Sequence, residues 1–326
     1  MPKRELSHHT SRSTQRRIVG AVTAGLVMLL GSPPLVYTAS AAGGRPFAVT
    51  SPFNVPIGAS PRLDANSSAM VARASRTGEV HANLVAYGIP VYTSTDATPR
   101  YQVSCDMAGV WGTCPLAQQP MPIPVGARPN SGEDGVLTVI DPATNTVAEY
   151  WRARSSGSGW AAAFGAVNSL AGSGWGGAST GSGASRLAGV VRVSEIQAGT
   201  IPHALVLQSD NVCSTTFRAP ALKTDGNSNR SDCIPEGARL QLDPGLDLQK
   251  LGLSAAEKTV AKAMQTYGGY VIDRSGTSLS VSFERATDAT ASSPGSVYRA
   301  AGLAWDYHGM PDVPWQRLRV LKTWQG

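Results

Sequence analysis

The chain predicts an all-β fold, a jelly-roll-like sandwich with one short α-helix and long Gly/Ser-rich loops. Three observations lead there. Charged residues make up only 15% of the 326, while 35 Gly and 22 Pro supply many turns, a composition suited to short strands rather than to helix bundles. β-rich runs recur along the chain, each bounded by Gly, Pro, Asp or Ser, and spacing of this kind suits a sandwich or jelly roll. Only one segment carries the apolar period of a helix together with its start and stop signals.

Taken in chain order, Lys3, Arg4, Arg12, Arg16 and Arg17 precede an apolar run over 18–30, and Ala39-Ser40-Ala41 offers small residues to a signal peptidase. This predicts a signal peptide over 1–41 and a secreted, extracellular protein. Gly20, Gly25 and Gly31 interrupt the run, and Pro33-Pro34 ends it short of the roughly 20 residues a membrane span needs. No stable anchor is expected after cleavage. Arg16-Arg17 leaves the general and the twin-arginine export routes both open. A flexible tail is expected over 42–46, and a single β-sandwich domain over 47–326.

The leader changes how charge is read. The net charge is +6, but five basic residues and one acid lie in the leader, which leaves 23 basic against 21 acidic residues. A nucleic-acid partner would need a clustered basic face, which this balance argues against.

Ser51-Pro52-Phe53-Asn54-Val55-Pro56 predicts ordered but irregular chain, because two prolines exclude a helix. The segment 85–92, β-rich with a proline, predicts an edge strand. A hairpin is expected from 135–142 through Ala143-Thr144-Asn145-Thr146 into 147–154. Further strands are expected at 187–193, 203–208, 237–242, 269–273 and 278–284. The helix is placed at 255–267: Ser254 caps it, Glu257 completes a capping box, Ala256, Val260, Ala263, Met264 and Tyr267 share one face, and Gly268 ends it.

Cys105, Cys114, Cys213 and Cys233 form two sequence-local pairs. In an oxidising compartment an even count implies disulfides, and Cys105–Cys114 with Cys213–Cys233 closes the shortest loops. The spacings fit no zinc knuckle, so no metal and no cofactor is expected.

The Gly/Ser-rich stretch 155–185 holds Trp160, Phe164 and Trp175, with Trp151 just before it. Glycines let a loop approach a ligand, and an indole offers a flat apolar face to a sugar ring; the same tryptophans could equally pack on the sandwich. Gly177-Ala178-Ser179-Thr180-Gly181 matches a nucleophile elbow, but low-complexity sequence on both sides lacks the strand and helix that the elbow needs. Three histidines follow the leader, His81, His203 and His308. His203, at the start of an expected strand, is the best placed to move a proton near neutral pH, or else is a buried histidine satisfied by a carbonyl. Asp141, Glu149, Glu195, Asp225 and Asp273 sit at strand or turn ends, where two facing carboxylates would suit glycoside hydrolysis. Asp225-Gly226-Asn227-Ser228-Asn229 starts like a calcium loop, but Arg230 stands where glycine is needed and Glu236 misses the twelfth place by one. A plain Asx-rich turn fits better.

Several segments resemble a family of secreted actinobacterial proteins. They are Ser51-Pro52-Phe53-Asn54, Ala188-Gly189-Val190, Gly199-Thr200-Ile201-Pro202-His203-Ala204-Leu205, Thr224-Asp225-Gly226, the run from Ile234-Pro235-Glu236-Gly237 to Leu242-Asp243-Pro244, and Gln265-Thr266-Tyr267-Gly268. The resemblance implies a β-jelly-roll protein that acts on, or attaches to, polysaccharide, and makes His203, Asp225, Gln265 and Tyr267 the positions to test. The expected function is a carbohydrate-active protein, lyase-like or hydrolase-like, on a cell-wall or environmental glycan. In the lyase form His203 is the base and Tyr150 protonates the leaving oxygen. The alternative is a noncatalytic glycan-binding or envelope protein in which Trp151, Trp160 and Trp175 make the contacts.

Overall fold

The computed structural model describes residues 45–157, 159–177 and 179–323. The expected signal peptide, and the tail up to residue 44, lie outside the described residues. Among the described residues strands account for 29% and helices for 14%, in several sheets with no barrel, so the β-rich class holds.

The hairpin forms where the alternation of apolar residues places it. Leu137–Asp141 pairs antiparallel with Thr146–Trp151, and Asn145 takes a left-handed φ of 51° in the turn. Phe164–Ser169 and Val91–Thr93 complete this four-stranded sheet, the latter as a parallel strand on its edge. A seven-stranded sheet runs in the order His308–Gly309, His81–Asn83, Ser280–Ser282, Leu205–Ser209, Gly269–Arg274, Arg239–Leu242 and Leu318–Val320. It is mixed: His81–Asn83 lies parallel to Ser280–Ser282, and Leu205–Ser209 parallel to Gly269–Arg274. Jelly rolls pair their strands antiparallel, and the sheet differs from that expectation at these two pairs.

The helix Ala255–Thr266 forms for the reasons its sequence suggests. The Ser254 hydroxyl accepts from the Glu257 N–H at 3.3 Å, the Glu257 carboxylate accepts from the Ser254 N–H at 2.9 Å, and Gly268 turns the chain out at φ 66°. Its buried face, with Val260 and Met264, packs on Arg239–Leu242. Burying a side chain of that size stabilises by about 1.5–3 kcal/mol. The expectation of one helix needs correction, because Ser67–Ala74, Val193–Ala198 and Ser296–Ala300 are helical too. Eight, six and five residues long, they are too short to be stable alone and rely on tertiary packing. The segment 187–193 is not a strand either. Its N–H groups turn back to Arg186, with one bridge from Val191 to Phe283, before the helix begins.

Three apolar clusters make the core. One joins the helix to the seven-stranded sheet, one gathers Phe53, Val206, Tyr270 and Ile272, and one gathers Leu137, Val139, Tyr150 and Phe164 under the hairpin.

Candidate functional site

The strand Gly269–Arg274 is interior to the seven-stranded sheet and carries Asp273 one residue before its end. Beside it runs Ile234–Glu236, tied by the Gly237 N–H to the Val271 carbonyl at 2.8 Å. Gly181 closes the third side: the Ser182 N–H binds the Ile272 carbonyl at 3.0 Å, and the Gly181 N–H reaches Asp273 Oδ1 at 3.3 Å. A Cβ at Gly181 would meet the carboxylates of Asp225 and Glu236 and displace them, so glycine here keeps the three acids together. Asp225, Glu236 and Asp273 thus bring one carboxylate oxygen each to within 4.8 Å of one another.

Three anionic groups so close cannot all be charged without compensation, and two devices resolve this. Arg186, itself buried, pairs with Asp273 at 2.9 Å. Burial by itself works against the Arg186 charge, but the carboxylates of Asp273, Asp134 and Glu149 outweigh it and raise its pKa. The second device is a proton. Burial, then the charges of Asp225 and Asp273, push the Glu236 carboxyl up to about 9. Burial also pushes Asp273 up to about 6; Arg186 opposes this, and Asp225 and Asp134 add to it. Glu236 is fully buried, and its Oε1 has no hydrogen-bond partner among the described residues. A hard divalent cation could sit among the three oxygens, with water or carbonyl oxygens as its remaining ligands, and would take the place of the proton on Glu236.

Asp225 is exposed and Asp273 partly so, and both open into a cavity of 780 Å³. Aromatic rings line the same cavity. Trp111 stacks on Trp151 with ring centroids 5.3 Å apart and planes 25° apart, and meets the edge of Phe164 at 5.7 Å. Trp151 donates through Nε1 to Asp134 at 3.0 Å, and the Arg152 guanidinium covers its ring at 4.6 Å. Trp111 remains 52% exposed, which leaves an indole face open to a ligand.

Both disulfides expected from the spacing are present. Cys105–Cys114 closes the loop that carries Trp111, and Cys213–Cys233 closes the loop that carries Lys223 and Asp225. Inside the second loop a Cβ at Gly226 would strike the carbonyl oxygens of Cys213 and Val212, so glycine lets the Asp225 turn dock on the disulfide. The other polar residues of that loop are used up locally: Ser228 donates to Asn211 at 2.6 Å, and Arg230 pairs with Asp232 at 2.8 Å. Arg230 and neighbouring desolvation act in opposite directions on Asp232, and the Arg230 hydrogen bond prevails, holding that carboxyl down at about 2. The turn is closed by hydroxyls, Thr224 accepting from the Gly226 N–H at 3.1 Å and Ser228 from the Arg230 N–H at 3.4 Å, and it presents the Asp225 carboxylate.

Of the residues that the sequence offered, Asp225, Asp273, Trp151, Phe164 and Ser179 line this cavity, while His203, Tyr150, Gln265, Tyr267, Trp160 and Trp175 do not. His203 is 1% exposed and lines neither this cavity nor its neighbour. Its Nε2 lies 3.0 Å from Glu195 Oε1 and its Nδ1 2.9 Å from the Ala204 carbonyl. Burial disfavours the imidazolium, yet the Glu195 carboxylate outweighs that and raises the His203 pKa. Tyr150 is buried under the hairpin with its hydroxyl unpartnered, and burial raises its pKa far from the range of a useful acid. Gln265 clamps a turn by donating to the carbonyls of Asp243 and Leu246 at 3.0 and 2.9 Å. The Tyr267 carbonyl accepts from Arg239 at 2.8 Å, and its ring packs on the second core cluster. Trp175 stacks on Phe53 at 5.3 Å, and Trp160 packs on the third core cluster. Ser179, the serine of the elbow-like motif, is buried and hydrogen-bonded to the Glu149 carboxylate. Glu149 also accepts from Ser185 at 2.7 Å and from the Leu187 N–H at 2.9 Å. This carboxylate therefore anchors the glycine-rich loop that brings Gly181 to the acids.

Glu236, Arg186, Asp134 and Trp111 were not singled out as site residues by sequence reasoning. For Glu236 a signal existed, since an acid flanked by Pro235 and Gly237 sits inside one of the segments that carry the family resemblance. Trp111 had one as well, as a tryptophan inside a nine-residue cysteine spacing. No protein-family model, no curated protein and no solved structure matches this chain, so function is read from the site's own geometry.

Proposed function

We propose that the protein is a secreted glycoside hydrolase acting on a cell-wall or environmental polysaccharide, with Asp225 and Asp273 as its working carboxylates. The observation that carries this reading is a pair of close carboxylates, one of them with a raised pKa, lining one cavity together with stacked aromatic rings. Glycoside hydrolysis uses one carboxyl as acid and a second as nucleophile or base, and two carboxyls with oxygens within 4.8 Å of each other are close enough for the retaining route. Asp273, whose proton is held to about pH 6, gives it to the leaving glycosidic oxygen. The Asp225 carboxylate attacks the anomeric carbon as the C–O bond breaks. Water then displaces Asp225 and returns a proton to Asp273. Glu236 does not line the cavity and positions Asp225 by accepting from its backbone N–H at 3.3 Å. The exposed face of Trp111, backed by Trp151, holds a sugar ring by its C–H surface.

A β-elimination route led by His203 finds no support, because that imidazole is enclosed and engaged on both nitrogens. Export and any jelly-roll kinship belong to the same proposal. Two disulfides fit an oxidising compartment, and no helix among the described residues is long and apolar enough to cross a membrane.

The test is incubation of the mature protein with β-glucan, xylan, arabinan, galactan and polygalacturonate, following reducing ends and the absorbance of unsaturated ends in parallel. Reducing ends without unsaturated ends are expected from one of them. The rate should fall as pH rises through about 6, and by at least about 10³-fold in Asp225→Asn and Asp273→Asn. Unsaturated ends point to a lyase and contradict the proposal. Retention on a polysaccharide without cleavage makes the protein a binder.

A further inference from the structure

We infer that the cleft continues past the carboxylates on both sides, so that the protein holds sugar units in two cavities at once and cuts its polysaccharide internally; this rests on the hydrolase reading above. A second cavity, of 520 Å³, adjoins the first, and the two share Asp134, Arg186, Asp273 and Arg274 as lining residues. Both volumes fall in the range of about 300–1,000 Å³ typical of ligand sites. The acidic centre therefore stands at the junction of two cavities. An enzyme that trims single units from a chain end needs its carboxylates near the floor of a blind pocket, where the chain stops.

The second cavity is built to meet hydroxyl groups. Asn83, Ser280 and Ser282, and Gln208 come from three successive strands of the seven-stranded sheet and form one polar row. Asn83 donates to Ser280 at 3.4 Å, Ser280 to Gln208 at 3.0 Å, and Gln208 to Ser282 at 2.9 Å. Amides and hydroxyls that both donate and accept are the groups that recognise a sugar. Asn130 adds an independent sign. It is 5% exposed, its Oδ1 accepts from the Val136 N–H at 3.0 Å, and its Nδ2 has no partner among the described residues. A buried amide donor without a partner is costly, and a ligand oxygen in the cavity that Asn130 lines removes that cost. Tyr87 and Tyr307, with ring centroids 6.2 Å apart, supply aromatic surface here as the tryptophans do on the other side. Each side of the acids thus has both rings and hydrogen-bonding groups.

The test compares the mean chain mass of the cleaved polysaccharide, by size-exclusion chromatography with light scattering, against reducing ends released. Internal cutting should halve the mean mass while only a few per cent of linkages are broken. Gly276 lines the second cavity, and a Cβ there meets open space, so Gly276→Trp should fill the cavity without disturbing the fold. It should slow cutting of the polymer at least 10-fold more than cutting of a short aryl glycoside that needs only the other cavity. Release of mono- or disaccharides while the polymer keeps its mass overturns internal cutting and leaves hydrolysis standing. An equal effect of Gly276→Trp on both substrates also overturns it. Failure to release reducing ends from any polysaccharide removes the hydrolase reading itself.

Discussion

Glu236 is a carboxyl that folding keeps protonated. Its pKa is about 4.5 in the unfolded chain and about 9 when buried beside Asp225 and Asp273. Between those values the folded state holds a proton that the unfolded state lacks, so raising the pH destabilises the fold, by at most about 1.4 kcal/mol per pH unit. Glu236→Gln keeps the neutral shape without the titration. Its melting temperature should exceed that of the parent by a margin that widens from about pH 5 to pH 8 in scanning calorimetry; a constant margin contradicts the burial of a proton there. His203 also has a raised pKa, and its contribution is likewise full below the unfolded value of 6.5 and lost as pH rises through the folded one. Removing one partner of a buried pair costs about 3–5 kcal/mol, and His203→Ala should lose stability on that order. Activity per folded molecule should be unchanged in His203→Ala; a folded variant without activity returns the imidazole to the chemistry. The sequence made His203 conspicuous because histidines are few. What decides its role is Glu195, eight residues earlier and brought back by the left-handed Gly199 at φ 68°, a contact that no linear pattern displays.

At the level of elements, the two disulfides hold the site from opposite sides. Each closes a loop that carries a residue of the larger cavity, Trp111 in one and Asp225 in the other. A bridge closing a loop of about 20 residues stabilises by roughly 3 kcal/mol. The variant with Ser at both Cys213 and Cys233 should lose about that much in urea unfolding, with a larger proportional loss of cleavage than the Cys105, Cys114 double Ser variant. Equal losses contradict the placement of the reacting carboxylate in the second loop. These loops were legible because cysteine pairing and Gly226 are local features. The capped helix Ala255–Thr266 and the hairpin were legible for the same reason, since Ser254, Glu257, Gly268 and the alternation around Asn145 carry their own instructions. The short helices were not, because Val193–Ala198 is held by packing and by its Arg192–Glu195 cap rather than by a long apolar stripe. The run 187–193 has the content of a strand, yet Glu149 and Arg186 bend it into the turn that supports Gly181.

On the scale of the whole molecule, the mixed sheet is what assembles the centre. Parallel pairing of Leu205–Ser209 with Gly269–Arg274 carries the chain across the sheet and returns it with Asp273 near the strand end. Composition could announce many strands but not their order, so the β-rich class was readable while the parallel pairs were not. The same holds for the cleft. Asp225, Glu236 and Asp273 span 48 positions of sequence but meet within 4.8 Å, and the aromatic wall comes from a distant part of the chain. The most direct measurement is a crystal structure of Asp225→Asn with a bound oligosaccharide from the polysaccharide that the protein cuts. The chain should lie across the junction of the two cavities, with one sugar ring on Trp111, another beside Asn130 and Gln208, and a glycosidic oxygen within hydrogen-bond reach of Asp273. An oligosaccharide bound on another face, or one whose linkages all lie out of reach of Asp273, contradicts the account.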